Sequence, residues 1–378
     1  MIYFVDSNAA PGTVGTPFPN APMWNSTGDL DATLTYVINN PSRGGDEIWA
    51  LQGTYNLAGS PLVINQNREP LSIYGGFAGW ERTLCDRDAN IISNDPDFPD
   101  FFQNPSILDG GGTHRVIEMR GANVCRIDGF IITQGVAPAT MPVGGGMYIS
   151  PSRNVWLENL VIMDNTAGNF GGGIYTAGMW CLMIKNTIFF NNRATNGGGI
   201  WIGDGGNKLL VNLLFNANQS TGTAGNGNAI YIDGDLGMKI INNTISGNTG
   251  GAGSSSVYCM PSPGGQGVDI NNSILYPDTL AVATGITNVR VDYCLLSNPI
   301  PFQNPNGLFF PPFTPNFVNP AGRNFHLQPT SPCIDKGNTN LIFPYVATDL
   351  EGKPRFIDNG LSTSVFPLEV DMGAFEVQ

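Results

Sequence analysis

Charge is scarce in this chain: Asp, Glu, Lys and Arg make up only 12% of its 378 residues. What charge there is leans acidic, 30 acids against 17 bases, for a net charge of -13. That balance excludes a nucleic-acid or anionic-membrane partner, which would require basic surface. Histidine occurs only twice, and the six cysteines (85, 125, 181, 259, 294 and 333) form no C-x-x-C pair, so zinc-type spacing is missing. Those cysteines read either as disulfide partners in a secreted protein or as buried thiols, with no pairing defined. No run approaches the ~18 apolar residues of a membrane-spanning helix, and no basic, then apolar leader precedes Ile2-Tyr3-Phe4-Val5. If the protein is exported, this is a mature or re-engineered start. Long amphipathic helical windows are also missing; Leu30 to Ile38, with apolar residues at 30, 34, 37 and 38, is the one helical stretch in the first hundred residues.

What the chain has in quantity is glycine, 49 residues, with 28 prolines, 21 phenylalanines and 41% hydrophobic residues. A packed, turn-rich, all-β fold reconciles these. One phrase recurs: Gly144-Gly145-Gly146-Met147-Tyr148-Ile149, Gly171-Gly172-Gly173-Ile174-Tyr175-Thr176 and Gly197-Gly198-Gly199-Ile200-Trp201-Ile202, with looser copies at 227–232 and 254–259. Its aromatics at 148, 175, 201, 231 and 258 step by 27, 26, 30 and 27 residues, a period typical of solenoids. A second phrase interleaves with it, centred on Gly129, Asn159, Asn186, Asn212, Asn243, Asn272 and Tyr293. Each repeat therefore holds at least two short strands. The period is too short for a propeller blade, and period-2 alternation excludes a helical solenoid. A right-handed, single-stranded parallel β-helix fits. It divides into an N-terminal capping module (1–60), the coils (61–297) and a crossover with a closing module (298–378), the crossover being Pro- and Phe-rich from Asn298 to Pro320.

Alternation predicts the faces. Asn159, Asn186, Asn212, Asn243 and Asn272 are expected to point inward at a bend as an amide ladder that fixes register. Tyr148, Tyr175, Trp201, Tyr231 and Tyr258 are expected to point outward as an aromatic strip, suited to a glycan, another protein, or stacking within the sheet. The outward row of the second phrase reads Asp128, Glu158, Lys185, Val211, Asn242, Asn271, Asp292, with one base and no arginine.

The glycine phrase, with segments such as Ile188-Phe189-Phe190-Asn191-Asn192, resembles the repeats of right-handed β-helix surface proteins, including the chlamydial polymorphic outer-membrane proteins. Phe325 to Gly337, Asp349 to Arg355 and Val370 to Glu376 resemble the choice-of-anchor Q domain. The resemblance implies a bacterial secreted or cell-surface protein, acting as a non-catalytic scaffold or adhesin that contacts surface proteins, copies of itself or glycans. A filament or surface-layer subunit is a further reading. The enzyme alternative is a polysaccharide lyase or glycoside hydrolase using Asp128, Glu158 and Lys185, a row placed where β-helix lyases tend to carry carboxylates and a base. No organic cofactor is implied, and calcium is the ion left open: Asp335, Asp349 and Asp371 form either a metal site or an ion-pair cluster with Arg355, and Asp86, Asp88, Asp95, Asp97 and Asp100 form an acidic segment without EF-hand spacing.

Overall fold

In the computed structural model the described residues are 1–17, 27–57, 59–65, 69–88, 102–222, 226–234, 237–298, 312–342, 346–356 and 370–377. Asp95, Asp97, Asp100 and most of the expected crossover lie outside them.

The chain winds as a parallel β-helix with three faces. The first face runs through Asp46–Leu51, Leu71–Phe77, Asn123–Asp128 and the leading halves of Arg153–Met163, Leu182–Phe190 and Lys208–Asn216, then Met238–Ile241, Val268–Asn271 and Val289–Asp292. A bend carries each coil to the second face, formed by Phe130–Thr133, the trailing halves of the three long strands, Thr244–Ser246, Ile274–Leu275 and Leu295–Leu296. The third face is an eight-stranded parallel sheet from Leu62–Asn65 to Leu280–Val282, and it holds the glycine phrase.

Register explains the repeats. Inward positions of the first face stack Ile73, Ile127, Leu157, Ile184, Leu210, Ile240, Ile270 and Val291 in one column. These residues, with Met147, Ile174, Ile200 and Ile230 from the third face, form one continuous apolar core. At the N-terminal end the helix Leu30–Asn39 lays Leu30, Leu34 and Val37 against that core, with the Asp29 carboxylate accepting from the Ala32 N–H at its start. The glycine triplet has two separate causes. Gly171 sits at φ +63°, in the left-handed region. A Cβ on Gly172 would lie 2.4 Å from the Gly198 carbonyl oxygen of the next coil.

The bend between the first and second faces is left-handed at Gly129, Asn159, Asn186, Asn212, Asn242, Asn272 and Tyr293, with φ of 47° to 80°. Asparagine tolerates this region better than any residue but glycine. The expected ladder is therefore real but differs twice from the sequence reading. Its fourth member is Asn242, because Val211 pairs with Ile241; Asn243 lies one place further on. Its amides also point away from the core: Asn212 Nδ2 donates to the Thr348 carbonyl and Asn242 Nδ2 to the Asp371 carbonyl, both in the C-terminal module. An αL bend rotates its side chain out of the strand alternation, which parity alone could not show.

The ladder that does face inward runs elsewhere, after the second face. Asn165, Asn192, Asn218, Asn248 and Asp278 are buried in line, each amide donating to the carboxamide or carboxylate of the next coil at 2.6 to 3.0 Å.

The described part of the C-terminal module lies along the side of the helix. Phe325, Leu327, Ile334, Leu350, Met372 and Phe375 cover Ile131, Val161, Ile188, Leu214, Ile274 and Leu295 on the second face.

Candidate functional site

The outward row of the first face is, in register, Tyr74, Asp128, Glu158, Lys185, Val211, Ile241, Asn271 and Asp292. Ile241 stands where the sequence reading put Asn242, the same one-residue slip as at the bend. The row is not poor in arginine. Arg87, 41 residues from Asp128 in sequence, brings Nη2 to 2.8 Å from the Asp128 carboxylate. Arg126 Nη2 lies 3.2 Å from Asp128 and 2.5 Å from Glu158. Asn159 Nδ2 donates to the same Asp128 oxygen that Arg87 reaches.

Asp128 thus has three partners, and its side chain is 2% exposed. It holds Arg87 and Arg126 in place and is not presented to solvent. Glu158 is different. Burial raises its carboxyl above the ordinary range, with Asp128 adding to the rise, while Arg126 and Lys185 oppose it. Lys185 pairs with Glu158 on the adjoining strand, so the three sequence candidates are neighbours, with only Glu158 and Lys185 near the surface. Val211 and Ile241 pack under Ile342, Val346 and Val370 of the C-terminal module, which closes the row beyond Lys185.

On the third face the five aromatics form a continuous pile. Ring centroids are 5.5 Å apart for Tyr148 and Tyr175, 4.7 Å for Tyr175 and Trp201, 6.5 Å for Trp201 and Tyr231, and 5.2 Å for Tyr231 and Tyr258. Interplanar angles of 7° in the first two pairs mean that ring faces meet ring faces. The column therefore presents its edges outward. Arg115 and Arg120 sit on the Tyr148 ring at 4.9 and 4.8 Å, and both bond Glu118, which continues the column by one coil. Burial, with Asp233 assisting, raises the Tyr231 phenol to about 12. Asp233 is itself raised by burial and by Asp204, so a carboxylate pair flanks the middle of the pile.

In the C-terminal module Asp335, Asp349, Arg355 and Asp371 are brought together, and Glu376, which the sequence reading did not place with them, completes the cluster. Arg355 Nη1 lies 3.2 Å from Glu376. Asp371 accepts from the Asp335 and Val377 amides, and Asp349 from those of Glu351, Lys353 and Glu376. These carboxylates tie loops to one another. Among the described residues no three His, Cys, Asp or Glu side chains form a group that could hold a metal ion. None of the six cysteines is disulfide-bonded, and four of them are buried.

No protein-family model matches the chain, and no curated protein does. Among solved structures, the pectate lyase Pel9A aligns over 100% of this chain and 96% of its own at 13% identity and a TM-score of 0.49. A glycoside hydrolase aligns over 82% of this chain and 96% of its own, at 8% identity and a TM-score of 0.39. A mannuronic-acid-specific polysaccharide family 6 lyase from human gut microbiota covers 82% of each chain at 13% identity, with a TM-score of 0.29. These are likenesses of a coiled shape, and no chemistry is carried over from them.

Proposed function

We propose that this is an exported, non-catalytic β-helix that binds an extended glycan along its third face. The observation that carries the reading is the aromatic pile, whose edges are spaced by the coil repeat of ~4.8 Å. A polymer lying along the axis meets an equivalent edge at every coil. Tyrosine edges bring hydroxyls that both donate and accept, which suits a polyhydroxylated chain better than an apolar protein patch. Arg120 and Glu118 at one end and Asp233 beside the middle add charged contacts for sugar substituents.

The test is affinity electrophoresis against a panel of neutral and acidic polysaccharides. Wild type should be retarded by at least one. Replacing Tyr175 and Tyr231 by Phe keeps the stacking and removes two hydroxyls; it should weaken that retardation severalfold, at about 1 kcal/mol per lost hydrogen bond. No retardation by any polysaccharide, or none lost in the double variant, overturns the reading.

A polysaccharide lyase is the second reading, favoured by one observation: Lys185 and the raised carboxyl of Glu158 adjoin the partly exposed Arg126 guanidinium, a base beside a charge-neutralising group. It predicts an ultraviolet-absorbing unsaturated product from an acidic polysaccharide, lost in Lys185→Met. No such product across the panel removes it.

A further inference from the structure

The outer side of the first face carries a cavity built on two neighbouring rows of the register. One row reads Ser72, Arg126, Trp156 and Met183; the other, two residues further along each strand, reads Tyr74, Asp128 and Glu158. The cavity holds about 360 Å³, and its lining includes Ser72, Tyr74, Arg126, Trp156, Glu158 and Met183. Small-ligand cavities run from roughly 300 to 1,000 Å³, so this one is sized for a single ring. Val124 also lines it, with φ at 54°. A β-branched residue is strained in the left-handed region. On the next coil Asn154, which follows the Arg153 that pairs with Asn123, takes the same conformation with a residue type that tolerates it. The chain thus keeps a strained valine where the side chain forms cavity wall.

Three of its side chains have bonding capacity that the protein leaves unused. Tyr74 is 5% exposed, and the Arg87 and Arg126 guanidinium groups lie 5.2 and 5.7 Å from its ring centroid. Among the described residues, however, its hydroxyl has no hydrogen-bond partner, although a buried phenol ordinarily finds one. Arg126 gives Nη2 to Asp128 and to Glu158, while its Nη1 has no acceptor among the described residues. Trp156 is half-buried, and no described ring or cation lies against it. Arg126 is already paired with two carboxylates, so it offers a third anion little attraction, but its remaining N–H groups still donate to a neutral oxygen. Lys185, beside Glu158 on the next strand, is not among the lining residues.

We propose that this cavity binds one neutral pyranose ring. Trp156 supplies flat apolar area for the C–H face of the sugar. Arg126 Nη1 and the Tyr74 hydroxyl donate to sugar oxygens, and the Glu158 carboxyl and Ser72 hydroxyl accept from sugar hydroxyls. Because Arg126 is committed to Asp128 and Glu158, a sugar carboxylate gains nothing over a hydroxyl there. A uronate is therefore disfavoured, the opposite of the order that the lyase reading of this region predicts. The site is on a different face from the aromatic pile and does not rest on the glycan reading of that pile.

The experiment uses the full chain and saturation-transfer difference NMR, with the methyl glycosides of glucose, galactose and mannose and those of glucuronate and galacturonate. At least one neutral glycoside should give saturable transfer, binding about fivefold or more tighter than either uronate. Tyr74→Phe removes an oxygen that the fold leaves unpartnered. The unfolding midpoint should therefore hold while affinity falls about fivefold, the loss of one hydrogen bond. Trp156→Leu should abolish the transfer, and Tyr74→Phe carries the test alone should that variant not fold. Replacing Tyr175 and Tyr231 by Phe on the third face should leave the affinity unaltered. Absence of transfer from every neutral glycoside, or uronates bound as tightly as neutral sugars, overturns the proposal. So does equal affinity in Tyr74→Phe and wild type, or an affinity lost in the third-face double variant.

Discussion

Two asparagines in the same coil do different work, and the difference is one of solvent. Asn192 is wholly buried; it accepts from the backbone and side-chain N–H groups of Asn165 and donates to the Ile162 carbonyl and Asn218. Removing its side chain leaves the Asn165 N–H without that acceptor at a cost of about 1–3 kcal/mol, while Asn218 Oδ1 keeps the Asn192 backbone N–H and Asn165 Nδ2 keeps the Ile132 carbonyl. Asn186, at the outer bend with φ 47°, spans Asn159 and Asn212 at the edge of the C-terminal module. Glycine keeps its left-handed conformation and loses only the amide. Asn192→Ala is therefore expected to lower unfolding stability by about 3 kcal/mol, and Asn186→Gly by about 1 kcal/mol, as read by urea titration. Equal effects would mean that the inner ladder is hydrated.

At the scale of the element, the glycine triplet shows why so much of the fold is legible in the sequence and why the sites are less so. The triplet encodes a left-handed turn followed by two close approaches, and each excludes a side chain locally. Repetition then fixes the period. Gly198→Ala would place a Cβ 2.4 Å from the Asn228 carbonyl oxygen and 2.5 Å from that of Gln219, both backbone atoms of the next coil. It should cost about 3 kcal/mol, whereas Trp201→Phe, which preserves the pile, should cost less than about 1.5 kcal/mol; thermal unfolding of the two variants checks this. The register slip at Asn242-Asn243 has an equally local origin: with two asparagines adjacent, residue type cannot say which takes the bend. Arg87 was not legible because it lies outside both repeated phrases, 41 residues before Asp128, so no period relates the two. The buried ladder left a trace in Asn192, Asn218 and Asn248, at steps of 26 and 30, hidden among neighbouring asparagines that face outward.

Across the whole molecule, the C-terminal module is held to the coils partly by groups whose protonation differs between folded and unfolded chains. Arg355, fully buried, donates to Asn212 on the coil ladder and to the carbonyls of Gly373 and Ala374; Ala374 N–H in turn donates to Thr244 Oγ1. Around this single cation lie Asp335, Asp349, Asp371 and Glu376. Burial lifts Asp371 to about 6 and raises Asp349, with Arg355 and backbone amides opposing. Burial raises Glu376 further still, with Arg355 opposing and Asp371 adding to the rise. Carboxyls raised in the folded state bind protons more tightly there than in the unfolded chain, so their contribution is complete below the ordinary carboxyl range and is lost as pH climbs through the raised values. The module should therefore be most firmly docked below about pH 4 and loosen as pH rises from there, the Asp371 share being gone by about pH 6 and the Glu376 share being lost last, by about pH 9. Glu376→Gln keeps the shape and an acceptor for Arg355 while removing the titrating proton. Limited proteolysis across that range should show wild type cut progressively faster within the module as pH rises, and the variant cut at a rate that varies less. A wild-type module equally resistant at pH 5 and pH 9 would mean that Arg355 neutralises the cluster unaided. In that case the apolar contact of Phe325, Leu327, Met372 and Phe375 with the second face holds the module at every pH.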